Sequence, residues 1–156
     1  MRGRARIGLT VSLDAQGKWQ ELAALPPEIR AGTDTVANLV DRAAVDSWAG
    51  VLRDVPPVTV DAPALPNVLP VLGSSVGTPI IKVVINGRVH YFWLDTGATM
   101  SLLATDVAAD CGVVPITNDT LAIAAAEGRI AARPAIAEVV QIGKVTVRNL
   151  PVAILD

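Results

Sequence analysis

The sequence predicts a mainly β domain preceded by an N-terminal extension that contains one helix, and three observations support this prediction. Hydrophobic residues make up 51% of the 156 residues but aromatic residues only 3%, so small and β-branched side chains, which favour sheets, must fill the core. Helical spacing of apolar residues is clear in one stretch, residues 35–53. Apolar runs separated by turn residues follow Pro79, which is the pattern of a β-rich domain.

The first elements are predicted with local turn and capping signals. Residues 5–13 alternate loosely and lead into turn residues, which predicts a short strand in a hairpin with residues 18–22. Residues 35–53 form the predicted amphipathic helix, and Thr33 or Asp34 can cap its first turn.

Closely spaced prolines separate this helix from the rest of the chain. They lie between Pro56 and Pro70, where they favour an extended connector that pairs poorly in a central sheet. We therefore predict an N-terminal extension at residues 1–65 and a β domain at residues 66–156.

The β domain begins with a predicted hairpin. Ile80 to Ile85 and Val89 to Leu94 are apolar runs that flank Asn86-Gly87, and both turn residues tolerate the positive φ of a type I′ turn. The remaining predictions are strands at 120–125, 129–141 with a break at Pro134, and 145–155, and a helical or irregular segment at 101–111.

Composition excludes several classes of function. With 13 basic against 15 acidic residues the net charge is -2, and no basic stripe is present, so no nucleic-acid partner is expected. The sequence shows neither an export signal nor an apolar run long enough to span a membrane, so the default expectation is a cytoplasmic protein. A single cysteine, Cys111, and a single histidine, His90, exclude an internal disulfide and any site that needs two imidazoles. No metal or cofactor is expected.

The remaining chemistry is that of carboxylates and hydroxyls. Peptide hydrolysis without metal, cysteine or histidine needs one carboxylate to activate water and a second acid to protonate the carbonyl oxygen. Two closely spaced carboxyls can do both by sharing one proton. Asp95 is suited to this task, because the apolar Phe92-Trp93-Leu94 precedes it and Gly97, which has no Cβ, lets the backbone turn sharply after it.

The segment Phe92-Trp93-Leu94-Asp95-Thr96-Gly97-Ala98-Thr99 resembles the active-site signature of retropepsin-like aspartic peptidases, especially the bacterial relatives. Met100-Ser101-Leu102-Leu103 and the residues from Val107 to Val113 are also similar to the stretch after the active-site loop of that family. The resemblance covers about residues 70–156 and implies a closed, β-barrel-like acid protease half-domain.

The resemblance also implies how such a site works. Asp95 is the catalytic acid and base, Thr96 bonds across a dimer axis, and Gly97 allows close backbone approach. Because Asp-Thr-Gly occurs once in this sequence, the resemblance implies a homodimer in which each subunit gives one Asp95 to a shared site. The implied substrate is a peptide or protein.

Two features depart from the family pattern. The flap over the substrate is placed by resemblance at Ala126, Glu127 and Gly128, where glycine is scarcer than in retroviral flaps. The family also continues into a second hydrophobic-hydrophobic-Gly motif, so we expect residues 66–156 to be incomplete at the C-terminus.

Alternative interpretations stay open. Asp95 could cap the segment near Ser101 or form an Asx turn after its strand. The domain would then be a non-catalytic β domain for peptide binding or assembly. Cys111 is interpreted as a small buried residue and His90 as a surface or satisfied strand residue. The helix containing Trp48 is interpreted as packing, with docking or autoinhibition as the alternative.

Overall fold

The computed structural model describes residues 9, 12–13, 16–26, 42–73, 75–98, 100–125 and 128–155. Within these residues the chain is mainly β, as predicted. The helices are α1 (Trp19–Ala24), α2 (Arg42–Leu52) and α3 (Thr105–Asp110). The strands are β1 (Thr59–Asp61), β2 (Val71–Leu72), β3 (Ile80–Ile85), β4 (Arg88–Trp93), β5 (Ser101–Ala104), β6 (Leu121–Ala125), β7 (Gly128–Ile142) and β8 (Val145–Leu155).

The predicted N-terminal hairpin is wrong. Residues 19–24 form helix α1, and the described residues 9 and 12–13 are helical as well. Trp19 and Leu22 are both buried, and residues three apart lie on the same face of a helix. This helical spacing outweighed the turn residues before it.

The predicted long helix is confirmed over α2, whose residues Trp48, Ala49 and Leu52 are buried. Its expected first turn and the caps Thr33 and Asp34 lie outside the described residues. Among the described residues, α1 packs against α2, and α2 packs against β6.

The β3–β4 hairpin is confirmed with its predicted turn. Asn86 has φ 47 and Gly87 has φ 85, the positive values that a type I′ turn requires. The strands pair antiparallel from Ile85 with Arg88 to Ile80 with Trp93. Predicted strands at 120–125, 129–141 and 145–155 correspond to β6, β7 and β8 within a residue or two.

The main sheet has the order β1-β8-β7-β3-β2, with β4 also pairing β3 and β5 also pairing β8. The short strands β1 and β2, which come from the proline-rich connector, therefore lie at the two ends of this path, as strands near prolines usually do. The path is open, so the predicted barrel-like form is matched only loosely, without closure.

Pro134 does not interrupt β7, contrary to the predicted break, but it marks a change of partner. Residues before it, Gly128 to Ala132, pair with β6, whereas Val140 and Gln141 pair with β3. Pro134 itself is buried, and its carbonyl accepts a hydrogen bond from the Ile116 N–H at 2.8 Å. The missing N–H of proline is thus tolerated where the ladder changes.

The chain divides into two compact units. The first comprises residues 1–57 and 116–134, and the second comprises residues 58–115 and 135–156. In the first unit the Trp48 Nε1–H donates to the carbonyl of Ala122 at 3.2 Å. The predicted domain boundary at residues 65 and 66 stays a prediction.

The second unit has its own apolar core. Buried residues from four strands, from α3 and from the segment just after α3 form it, namely Ile81, Val83, Ile85, Leu103, Ala108, Cys111, Val113, Ala135, Ala137, Val140, Val152 and Ile154.

Within the described part of the chain, no helix combines the length and apolar character that crossing a membrane requires.

Candidate active site

Strand β4 carries Asp95 to the edge of the second unit. The final rung of the β3–β4 ladder pairs Ile80 with Trp93, and beyond it the Leu94 N–H donates to the carbonyl of Pro79 at 2.8 Å. The hairpin therefore fixes the chain up to Leu94. Asp95, the next residue, is exposed to solvent.

A tight turn holds the Asp95 carboxylate. The Ala98 N–H donates to the Asp95 carbonyl at 3.2 Å, which closes a β-turn around Thr96 and Gly97. The Gly97 N–H donates to Asp95 Oδ1 at 2.8 Å, so one carboxylate oxygen is oriented by the backbone. Among the described residues, Oδ2 has no hydrogen-bond partner, and the Thr96 and Gly97 side of the turn is also exposed.

Gly97 fits this turn because of space rather than an unusual backbone angle. It is not among the glycines with positive φ. A Cβ at this position would lie 3.3 Å from Asp95 Oδ1, closer than a carbon normally approaches a non-bonded oxygen. The sequence analysis predicts that residue 97 needs to lack a Cβ. The structure gives the reason, because a Cβ there would crowd the Asp95 carboxylate.

The strand after the loop is held by the last strand of the chain. Thr99 lies outside the described residues, and β5 begins at Ser101. It pairs in parallel with β8, from Ser101 with Val152 to Ala104 with Leu155. The Thr105 Oγ1–H also donates to the Leu155 carbonyl at 2.8 Å. The Asp95 turn is therefore anchored on both sides by paired strands.

Large apolar side chains are exposed along β4, the strand that leads to Asp95. On the outer face of β4 these are Val89, Tyr91 and Trp93, and Leu94 follows them. Trp93 is 66% exposed, which is high for a tryptophan, since aromatic side chains mostly lie against a protein core or a partner.

The expected flap region is a hairpin. Ala125 pairs with Gly128, so two residues, Ala126 and Glu127, connect β6 to β7, and both lie outside the described residues. Gly128 has φ 130, a backbone angle that favours glycine. The hairpin belongs to the first unit and Asp95 to the second. The assignment of these three residues to a flap stays a prediction.

His90 and Cys111, which the sequence analysis treated separately, lie together in the structure. His90 Nε2 is 2.9 Å from Asp110 Oδ2, and Cys111 is buried next to this pair. Burial raises the pKa of the Cys111 thiol, the charge of Asp110 raises it further, and Arg88 opposes the shift. Because a nucleophilic cysteine needs the opposite shift, Cys111 is not an activated thiol.

Comparison with known proteins agrees with the sequence resemblance. Residues 81–156, which contain Asp95, match the family described as "gag-polyprotein putative aspartyl protease". Among solved structures, the chain is similar to a retropepsin-like aspartic protease from Rickettsia conorii, with 21% identity and a TM-score of 0.41. This match covers 62% of the present chain and 69% of the other. No curated protein matches the chain.

The match of residues 81–156 to an aspartyl protease family confirms the resemblance carried by residues 92–99. It supports a protease function in general terms.

Proposed function

We propose that this protein is an aspartic endopeptidase that acts as a homodimer, in which each subunit contributes Asp95 to one shared acid and base pair. The observation that carries the proposal is the exposed Asp95 carboxylate at the end of β4, with Oδ1 held by the Gly97 N–H. Its position falls inside the segment that matches the protease family.

The chemistry follows from pairing two such carboxylates. Two carboxyls that lie a few ångströms apart share one proton, because both cannot easily ionise. The ionised member takes a proton from water while the protonated member gives its proton to the carbonyl oxygen of the peptide. Oδ2 of Asp95, which has no partner among the described residues, is the atom available for this exchange. Thr96 is proposed to bond across the dimer axis.

Three considerations support the proposal of a dimer. Residues 1–156 carry one Asp-Thr-Gly, and a second copy of the chain can supply the other carboxylate of the pair. The exposed apolar residues beside Asp95, Trp93 and Leu94, would leave water on association or beneath a bound peptide, and such burial is favourable by about 25 cal/mol per Å². A two-fold dimer is also the commonest arrangement of identical subunits.

Dilution tests the requirement for two chains. As the total concentration falls through the dimer dissociation constant, the cleavage rate per chain is expected to fall together with the mass measured by sedimentation. A rate per chain that stays constant while the protein sediments as a monomer would contradict the proposal. The cleavage rate is measured on an unfolded protein substrate, so that folding of the substrate does not affect it.

Gly97→Ala tests the turn around the carboxylate. The added Cβ would lie 3.3 Å from Asp95 Oδ1, so the carboxylate must shift, and small displacements of a catalytic group lower rates by roughly ten- to a hundredfold. The matched control is Gly73→Ala, since a Cβ there meets nothing within 4 Å. We expect kcat to fall for the first variant only. Equal kcat values in the two variants would show that the Gly97 turn does not position a catalytic group.

A second function is favoured by one observation. The bond from the Gly97 N–H to Asp95 Oδ1 is an Asx turn, a motif that also occurs in loops without catalytic roles. In this alternative the domain binds peptides or assembles with a partner. A wild-type protein that binds an extended peptide but cleaves none, under conditions where the dimer is formed, supports the alternative and excludes the peptidase.

A further inference from the structure

Three side chains with metal-binding atoms meet on the second unit. His90 lies on β4, Asp110 is the last residue of α3, and Cys111 follows it directly. Each offers one ligand atom, and these three atoms lie within 4.8 Å of one another. The shortest separation, between His90 Nε2 and Asp110 Oδ2, is 2.9 Å.

Hydrogen bonds within the end of α3 and from the β3–β4 turn hold these residues in place. The Cys111 N–H donates to the Val107 carbonyl at 3.0 Å, and Asn86 Nδ2 donates to the Cys111 carbonyl at 3.1 Å. Asn86 sits in the β3–β4 turn, so the turn of the hairpin that carries His90 is tied to the end of the helix that carries the other two residues. The group is therefore built from a strand and a helix end rather than from a free loop.

The three ligand types fit one class of ion. Imidazole nitrogen, thiolate sulfur and carboxylate oxygen are the three donors that bind Zn²⁺ in proteins. When Zn²⁺ binds, Cys111 must release its proton to solvent, and its thiolate and the Asp110 carboxylate then supply two negative charges that balance the divalent cation. Magnesium and calcium bind oxygen ligands, so a site with sulfur and nitrogen disfavours them.

The distances allow such an ion after a small adjustment. With Zn–N and Zn–O near 2.0 Å and Zn–S near 2.3 Å, neighbouring ligand atoms of a tetrahedral site lie about 3.3–3.6 Å apart. The His90 and Asp110 atoms, 2.9 Å apart, would separate by a few tenths of an ångström. Cys111 Sγ, within 4.8 Å of both, would need to move toward them by up to about 1.3 Å.

The three side chains of the group differ in their exposure to solvent. Cys111 is buried in the core, whereas the side chain of His90 is 24% exposed and that of Asp110 is 50% exposed. An ion therefore has a route from solvent on the Asp110 side, and a water molecule can complete four-coordination there. The Phe92 ring lies edge-on to the His90 ring, with 6.5 Å between the ring centroids. It makes the surroundings of His90 partly apolar.

We propose that His90, Asp110 and Cys111 form a binding site for one Zn²⁺ ion, with water as the fourth ligand. The ion joins β4 to the end of α3 and stabilises the strand that leads to Asp95. This site is independent of the proposed peptidase chemistry, since it uses none of the residues of the Asp95 turn. A simple histidine–carboxylate pair beside a buried thiol is the competing interpretation, and the following experiment separates the two.

Co²⁺ serves as the probe, because it occupies zinc sites and gives an intense absorption band when a thiolate binds it. Metal-free full-length protein is titrated with Co²⁺ and then with Zn²⁺. We expect a thiolate-to-cobalt band that saturates at one equivalent and disappears when Zn²⁺ displaces the cobalt. Absence of this band in the folded wild-type protein overturns the proposal.

Variants assign the ligands. Cys111→Ser and His90→Gln are each expected to abolish the band and to weaken Zn²⁺ binding by at least about 100-fold, the upper end of losses seen even for outer-shell partners. His90→Gln covers the case in which Cys111→Ser does not fold, because the His90 side chain is partly exposed. Asp106→Asn is the control, since Asp106 lies on the same helix outside the group. Binding unchanged in folded His90→Gln protein overturns the proposal.

Thermal unfolding provides a second readout. Zn²⁺ at about 100 times its dissociation constant is expected to stabilise the folded state, because a ligand that binds only the native protein shifts the unfolding equilibrium about 100-fold at that concentration. Wild type and Asp106→Asn should both show a higher Tm with Zn²⁺. A Tm that rises equally in His90→Gln would place the ion elsewhere and refute this site.

Discussion

Replacing Asp95 by Asn is expected to abolish peptide cleavage and to leave the fold intact. The amide oxygen of Asn can accept the same hydrogen bond from the Gly97 N–H that Oδ1 accepts at 2.8 Å, so the turn survives. The amide cannot exchange a proton with water or with the peptide carbonyl. Loss of positioned acid–base catalysis typically lowers rates by about 10²- to 10⁴-fold, and the loss is expected at or above this range because both subunits carry the change.

The matched control for this variant is again Asp106→Asn. Asp106 is an exposed aspartate whose Oδ1 accepts a backbone N–H, that of Val107, at 2.9 Å, so the two substitutions make similar local changes. Cleavage of an unfolded protein substrate is measured for both, with circular dichroism as the check on folding. Wild-type cleavage by folded Asp95→Asn protein would remove this carboxylate from the mechanism.

Leu103→Ala is expected to lower the free energy of unfolding by about 2–5 kcal/mol, the range for truncating a fully buried leucine. Leu103 is 2% exposed and lies in the core of the second unit. It is also on β5, where it pairs with Ile154 of β8. The cavity therefore weakens the strand that follows the Asp95 turn, and a loss of this size is a large share of the stability of most domains.

The neighbouring residue gives the control. Leu102 is 38% exposed and Leu103 only 2%, because successive side chains of a strand face opposite sides. Leu102→Ala should cost under about 1 kcal/mol, as surface substitutions usually do. Denaturant unfolding of the two variants measures the difference. Equal losses would show that β5 does not face the core as the structure places it.

The β3–β4 hairpin and the place of Asp95 at its end could be predicted from the sequence. Both depend on local signals, namely two apolar runs and the Asn86-Gly87 turn, whose positive φ values the structure shows. The parallel pairing of β5 with β8 could not be read in this way. It joins segments about fifty residues apart, and no local pattern specifies which strands meet.

The errors of the sequence analysis have physical causes. Turn residues at 14–17 suggested a hairpin near Trp19, but burial of Trp19 and Leu22 on one face stabilises a helix there. Pro134 suggested a strand break, but a proline lacks only its own N–H, and the strand continues by changing partner. Tertiary contacts decided both outcomes.

The group formed by His90, Asp110 and Cys111 was missed for a similar reason. Each residue was weighed alone, and twenty residues separate His90 from Asp110, a spacing that matches no short metal motif. No local pattern in the sequence brings β4 together with the end of α3. Only the folded chain shows that the two ends meet.

Mixing wild-type and Asp95→Asn chains tests most directly whether one active site takes a carboxylate from each of two subunits. After full exchange at constant total concentration, an equal mixture should keep about a quarter of the wild-type activity, because only dimers of two wild-type chains are active. Activity of about one half, the value for chains that act singly, would contradict the shared Asp95 pair.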